Sequence, residues 1–115
     1  AFAEYYETLP YTNKMYSCRF YRSFLQLASE VQDDKYLSDI FPKPPVLLIS
    51  GTEDMVGDKG EYAKEKASVL KANGFDVRLV ILDGMRHSVL QEKERTDVYR
   101  LIADFISKQE HNDNL

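Results

Sequence analysis

Pro45-Val46-Leu47-Leu48-Ile49-Ser50-Gly51-Thr52-Glu53-Asp54 runs four consecutive apolar residues into an acidic turn. Val46 to Ile49 do not alternate with polar residues, which predicts a strand buried on both faces, as in parallel sheets. Pro42, Pro44 and Pro45 precede it. Prolines remove backbone donors and hold the chain extended, so they suit the start of a strand. Val77, Leu79, Val80, Ile81 and Leu82 make a second apolar run, broken at Gly84. Between the runs, Ala63, Ala67 and Leu70 fall on one helical face flanked by Tyr62 and Val69. Asp58 with Glu61 three residues on predicts a helix-start box, Asp standing where Ser or Thr is more usual. Asn73-Gly74 predicts its stop. Strand, helix, strand with short links is a βαβ unit with parallel strands and a right-handed crossover.

Both turns that follow these strands then lie at the carboxyl end of the sheet, where open α/β sheets place catalytic groups. Asp54 comes four residues after Ser50 and His87 five after Leu82. Neighbouring strands sit ~4.8 Å apart, so turns of this length bring carboxylate and imidazole within reach. Such an acid fixes the imidazole tautomer and stabilises its cation. The same residues also fit a turn-forming Asp and an incidental loop His, and spacing alone leaves both readings open.

Composition narrows the classes. At 115 residues the chain is one domain at most, and its charge of −4, 15 basic against 19 acidic residues, argues against nucleic acid and anionic membrane as partners. The lone Cys18 excludes an internal disulfide and a Cys-based zinc cluster, and is compatible with a reducing, cytoplasmic location. No apolar run approaches the ~20 residues of a membrane span. Two histidines and one cysteine give no metal spacing, and no phosphate-cradling glycine loop is present.

The flanks are helical or irregular. Residues 1–12 show no period and read as irregular. From about Asn13 an aromatic helix is predicted. Phe20, Phe24, Leu27 and Val31 form its stripe, widened by Met15, Tyr16, Tyr21, Leu25 and Ala28. Cys18 within it reads as a buried small hydrophobe. Val98, Leu101, Ile102 and Phe105 predict a final helix from about Thr96 to Ser107, leaving 109–115 as a loose polar tail. Two strands alone seldom make a stable sheet, and a free strand edge invites self-association.

Pro45 to Gly57, then Lys59-Gly60, then Gly84-Met85-Arg86-His87-Ser88-Val89-Leu90-Gln91-Glu92, then Arg95 and Val98 to Phe105 carry a resemblance. From roughly Tyr16 to Ile106 the chain resembles the C-terminal part of the serine α/β-hydrolases of the monoacylglycerol lipase and lysophospholipase group, sometimes filed with serine aminopeptidases. The resemblance implies Asp54 as triad acid and His87 as triad base. It implies residues 1–44 as a cap-derived helical segment and linker, and 45–108 as the C-terminal part of the hydrolase core. In that family the chain order is nucleophile, acid, histidine, with the Ser in a Gly-x-Ser-x-Gly elbow. No serine here sits in that frame: Ser50 lies inside the strand and Ser88 is adjacent to His87. The nucleophile and most of the oxyanion hole are therefore expected before residue 1, and the chain alone is expected not to hydrolyse esters.

Other candidates stand beside the pair. Glu53 is the alternative acid. Glu92 either supports the histidine turn or is exposed, and His111 reads as incidental. If the aromatic helix is a cap, Met15, Tyr16, Phe20 and Tyr21 would line an acyl cleft with Met55, Met85 and Val89. Otherwise Phe20, Phe24 and Leu27 are core. The expected function is hydrolysis of a lipid-like carboxylic ester, a monoacylglycerol, lysophospholipid or short-chain ester. No cofactor or metal is implied, and peripheral contact with lipid is compatible with it. The rivals are a non-catalytic interaction module and a hydrolase homologue whose site has decayed.

Overall fold

A computed structural model describes residues 2–10, 12 and 15–113. The chain divides into two compact units, Ala1–Tyr36 and Leu37–Leu115.

The first unit holds helices α1 (Phe2–Glu7) and α2 (Cys18–Val31). A helix within 1–12 corrects the irregular reading. One and a half turns need no apolar period, and the turn after it closes locally, with the Thr8 hydroxyl donating to the Tyr5 carbonyl at 2.6 Å. Helix α2 starts later than its pattern suggested. Ser17 caps it, Oγ accepting the Phe20 N–H at 3.1 Å, so Met15 and Tyr16 precede the helix, and Asn13 lies outside the described residues. Tyr16 stacks on Phe20 (4.4 Å between ring centroids) and Phe20 on Phe24 (6.3 Å). The apolar stripe exists, yet no residue of α2 is buried and Phe24 is 57% exposed. Cys18 is exposed too, against the expectation of a buried hydrophobe: it occupies the first helical turn.

The second unit holds β1 (Val46–Gly51), α3 (Glu61–Ala72), β2 (Val77–Leu82) and α4 (Arg95–Asp113). Strands β1 and β2 pair in parallel, in register from Val46↔Val77 to Gly51↔Leu82. A mixed α/β unit with a parallel sheet is what the apolar runs imply. Alternate side chains of a strand point to opposite faces. Val46, Leu48, Val77 and Leu79 pack with Ala67, Leu70, Phe75 and Leu37 into the core. Leu47, Ile49 and Val80, on the other face, stay half-buried. The prediction of a β1 buried on both faces is thus corrected. An unbroken apolar run records what a strand is fit for, and here α3 packs on a sheet of two strands among the described residues.

Helix α3 ends as predicted: Gly74 adopts φ +86° and Phe75 N–H returns to the Leu70 carbonyl at 3.1 Å. Its start differs. Asp58 and Lys59 have φ of +48° and +54°, a 3-10 turn Asp58–Gly60 precedes the helix, and no side chain caps it. Asp is among the residues that tolerate the left-handed region, so Asp58 turns the chain instead of capping it. Lys43 anchors the N-terminal rim of the sheet. Its ammonium donates to the carbonyls of Leu37 (3.0 Å), Ile40 (3.1 Å) and Ser38 (3.4 Å), and lies 4.8 Å from the Phe75 ring centroid. Helix α4 continues past the expected end at Ser107 to Asp113. It packs on the 3-10 turn Val89–Gln91, buries Val98 completely, and receives that turn through a hydrogen bond from the Tyr99 hydroxyl to the Leu90 carbonyl at 3.1 Å. No helix among the described residues is long and apolar enough to cross a membrane.

Candidate active site

Because β1 and β2 end level, their following turns start level. Asp54 sits in a tight turn, its N–H donating to Gly51 O at 3.2 Å and its carbonyl accepting Lys59 N–H at 2.7 Å. Its carboxylate Oδ1 accepts the N–H groups of Val56 and Gly57, each at 3.0 Å. The Ser50 hydroxyl approaches Oδ2 at 3.5 Å. A side chain at Gly57 would not fit, since a Cβ there would lie 2.6 Å from Asp54 Oδ2. Asp54 is 6% exposed.

The imidazole of His87 meets this carboxylate, Nδ1 lying 3.0 Å from Oδ1. An ionised carboxylate only accepts hydrogen bonds, so Nδ1 carries the proton and the neutral ring keeps its lone pair on Nε2. Among the described residues Nε2 makes no hydrogen bond, and the ring is largely exposed. Burial pushes the Asp54 carboxyl up. The Gly57 N–H, the hydrogen bond and charge of His87 and the Val56 N–H outweigh it and hold the acid below its ordinary value. The group therefore stays ionised in front of the imidazole. Glu53, the alternative acid, is exposed, and its backbone rather than its carboxylate is engaged, N–H to Met85 O at 2.9 Å.

A second ion pair braces the histidine turn. Glu92 Oε1 accepts both the backbone N–H (3.1 Å) and Nε (2.8 Å) of Arg86, and Oε2 accepts Nη2 (3.1 Å). The residue before His87 is thereby closed onto the residue five after it. The hydrogen bonds from the Arg86 side chain and backbone hold the Glu92 carboxyl below its ordinary 4.5, against a smaller upward push from burial. A carboxyl depressed on folding stabilises above its unfolded value and loses that contribution as pH falls through the folded one. Stability is thus expected to be flat in these two groups from neutrality down to about pH 5, then to fall. Glu92→Gln should be less stable at pH 7 and less acid-sensitive. Its urea midpoint should approach that of the unsubstituted chain as pH falls through the folded value of Glu92, and curves that stay parallel would show the Arg86–Glu92 pair to be inert.

The remaining predicted site residues fall in both units. In the first, Met15 is 97% exposed and Tyr16, Phe20 and Tyr21 form one aromatic cluster. In the second, Met55 is exposed beside Asp54, Val89 is half-buried and Met85 is buried. Ser88 precedes the Val89–Gln91 turn and makes no capping bond. Sequence reading missed two features. A Cβ on Gly51 would overlap the Met85 carbonyl, so the acid turn and the histidine turn touch backbone to backbone. Thr52 bonds across to the same turn. A glycine closing the first apolar run was the available signal for the first, and Thr52 offered none.

Comparison with protein families finds that residues 1–94 match the model of a family described as serine aminopeptidase, S33. No curated protein and no solved structure matches the chain.

Proposed function

The chain belongs to the serine aminopeptidase S33 family, a hydrolase family of the α/β-hydrolase type, and from that premise we propose that it carries the acid and base of a serine ester hydrolase. In this reading it is the C-terminal portion of the fold, with 1–44 derived from a cap. A serine outside these 115 residues attacks a lipid-like ester, a monoacylglycerol, lysophospholipid or short-chain ester. Nε2 of His87 takes the serine proton as the carbonyl carbon becomes tetrahedral. Asp54 holds Nδ1–H and balances the imidazolium charge. Collapse expels the alcohol, which takes the proton from Nε2. Water then repeats the sequence on the acyl-enzyme and releases the acid. The observation that carries this reading is the 3.0 Å Asp54–His87 contact with Nε2 left open.

Met15, Tyr16, Phe20 and Tyr21 in the first unit are proposed as one apolar contact for an acyl chain, and Met55 and Val89, with the buried Met85, as another in the second. Apolar walls with few polar groups suit an acyl chain. Peripheral contact with lipid and a cytoplasmic location belong to the same proposal, the single free cysteine being compatible with the latter. A second reading, an interaction module or decayed homologue, draws on the exposed stripe of α2 and the strand edge left unpaired among the described residues, which would serve self-association.

A fluorophosphonate probe and fluorogenic esters of graded chain length separate these readings on the full-length gene product. The hydrolase reading expects labelling of one serine outside residues 1–115, with ester turnover lost in His87→Ala. Turnover of aminoacyl amides but not esters would overturn the substrate assignment, and absence of labelling would leave the second reading.

A further inference from the structure

Beyond the pair itself, we infer that Thr52 is a positioning residue, whose hydroxyl holds the turn of His87 onto the turn of Asp54. The last bond continuing the ladder runs from Thr52 N–H to the Leu82 carbonyl at 3.0 Å. Past it, β2 must leave the sheet, and it turns at Gly84 with φ +71°. Two bonds from the acid turn catch it there. Thr52 Oγ1 accepts Gly84 N–H at 2.8 Å, and Glu53 N–H donates to Met85 O at 2.9 Å. The Thr52 hydroxyl has one proton, and Asp83 Oδ1 takes it at 3.2 Å. That leaves the oxygen lone pairs for Gly84 N–H. Asp54 follows Thr52 by two residues and His87 follows Met85 by two, so both partners hang from this junction.

The backbone bonds of Thr52 and Glu53 survive any side chain. The bonds of the Thr52 hydroxyl depend on residue type, on Thr52 itself and, for one of them, on Asp83. Valine has nearly the shape of threonine and cannot accept Gly84 N–H, which would turn to solvent instead of to the acid turn. Between the two turns' backbones only the Glu53 N–H bond to Met85 O would then remain among the described residues, and the imidazole would sample positions away from Asp54. As a contribution to catalysis this rests on the hydrolase reading. As a contribution to the placement of His87 it does not.

The test reads the imidazole directly. In the 15N-labelled chain at pH 8, with His111→Gln removing the second histidine signal, His87 should be held as the Nδ1–H tautomer. Thr52→Val should shift the tautomer ratio toward Nε2–H by roughly tenfold, and Thr52→Ser should restore it. Asp83→Ala, which frees the hydroxyl to rotate, should give an intermediate shift and serves if the valine variant does not fold. In the enzyme with its nucleophile, Thr52→Val should lower kcat by roughly tenfold with KM nearly unchanged. An unchanged tautomer in Thr52→Val, or in Asp83→Ala should valine prevent folding, overturns the inference whatever the ester activity. A shifted tautomer in a protein that hydrolyses no ester supports the role of Thr52 and sinks the hydrolase reading instead.

Discussion

On the proposed mechanism, His87→Ala should reduce kcat for ester hydrolysis by roughly 10⁶-fold, and Asp54→Ala by roughly 10⁴-fold. The base is lost outright in the first case. In the second it remains but is no longer held in one tautomer. The structure separates the two further. The His87 ring is largely exposed and bonds only Asp54 among the described residues, so its removal should leave the thermal midpoint nearly unchanged. Asp54 is buried and satisfies the Val56 and Gly57 N–H groups, so Asp54→Ala should lose stability along with rate. Asp54→Asn should be the mildest of the three. Two backbone N–H groups point at the Oδ1 position and would draw the amide oxygen there, which still accepts Nδ1–H. Only the negative charge opposite the imidazolium would be missing. Parallel measurement of kcat and thermal midpoint across the three variants checks the ordering. A His87→Ala enzyme within tenfold of the parent would remove His87 from the mechanism.

Gly51→Ala should destabilise the chain by about 1–3 kcal/mol or more and pull the turns of Asp54 and His87 apart. The atom in the way is the Met85 carbonyl, part of the backbone, with Arg86 O behind it at 3.1 Å. A side chain could rotate aside, whereas this carbonyl is bonded to Glu53 N–H, and Gly51 is flanked by the Thr52–Leu82 bond. Room for a methyl group comes only by opening that junction, which carries Asp54 and His87 with it. Gly84→Ala is the informative comparison. Gly84 has φ +71°, but a methyl group there would meet nothing within 4 Å, so its cost is conformational alone, about 1–2 kcal/mol. Urea midpoints of the two variants should therefore differ in order, with ester activity lost completely only at Gly51. Equal stability of Gly51→Ala and the parent would show that the two turns do not approach this closely.

What the sequence disclosed follows from how local each feature is. Val46–Ile49 and Val77–Leu82 are apolar over nearly their whole length and bounded by Pro and Gly, so strand type and parallel pairing were readable, and with them the shared end of Asp54 and His87. Asp58 misleads because an Asp before a Glu-led helix looks the same whether it caps or takes a left-handed turn. Helix α1 has no apolar period to betray it. The burial of β1 depends on what covers each face, which a run of Val, Leu and Ile does not encode. Thr52 and Asp83 are separated by 31 positions, and their bond exists only once β1 and β2 are aligned.

Lys43 lends the far rim of the sheet a chemical clock. All three protons of its ammonium are committed to carbonyl oxygens, and the nitrogen lies over the Phe75 ring. An amine-reactive reagent needs the free, deprotonated nitrogen, so Lys43 should be acylated later than the exposed Lys35 or Lys64. Its rate of modification would report the opening of the strands' starting end, independently of anything that happens at the end where His87 stands.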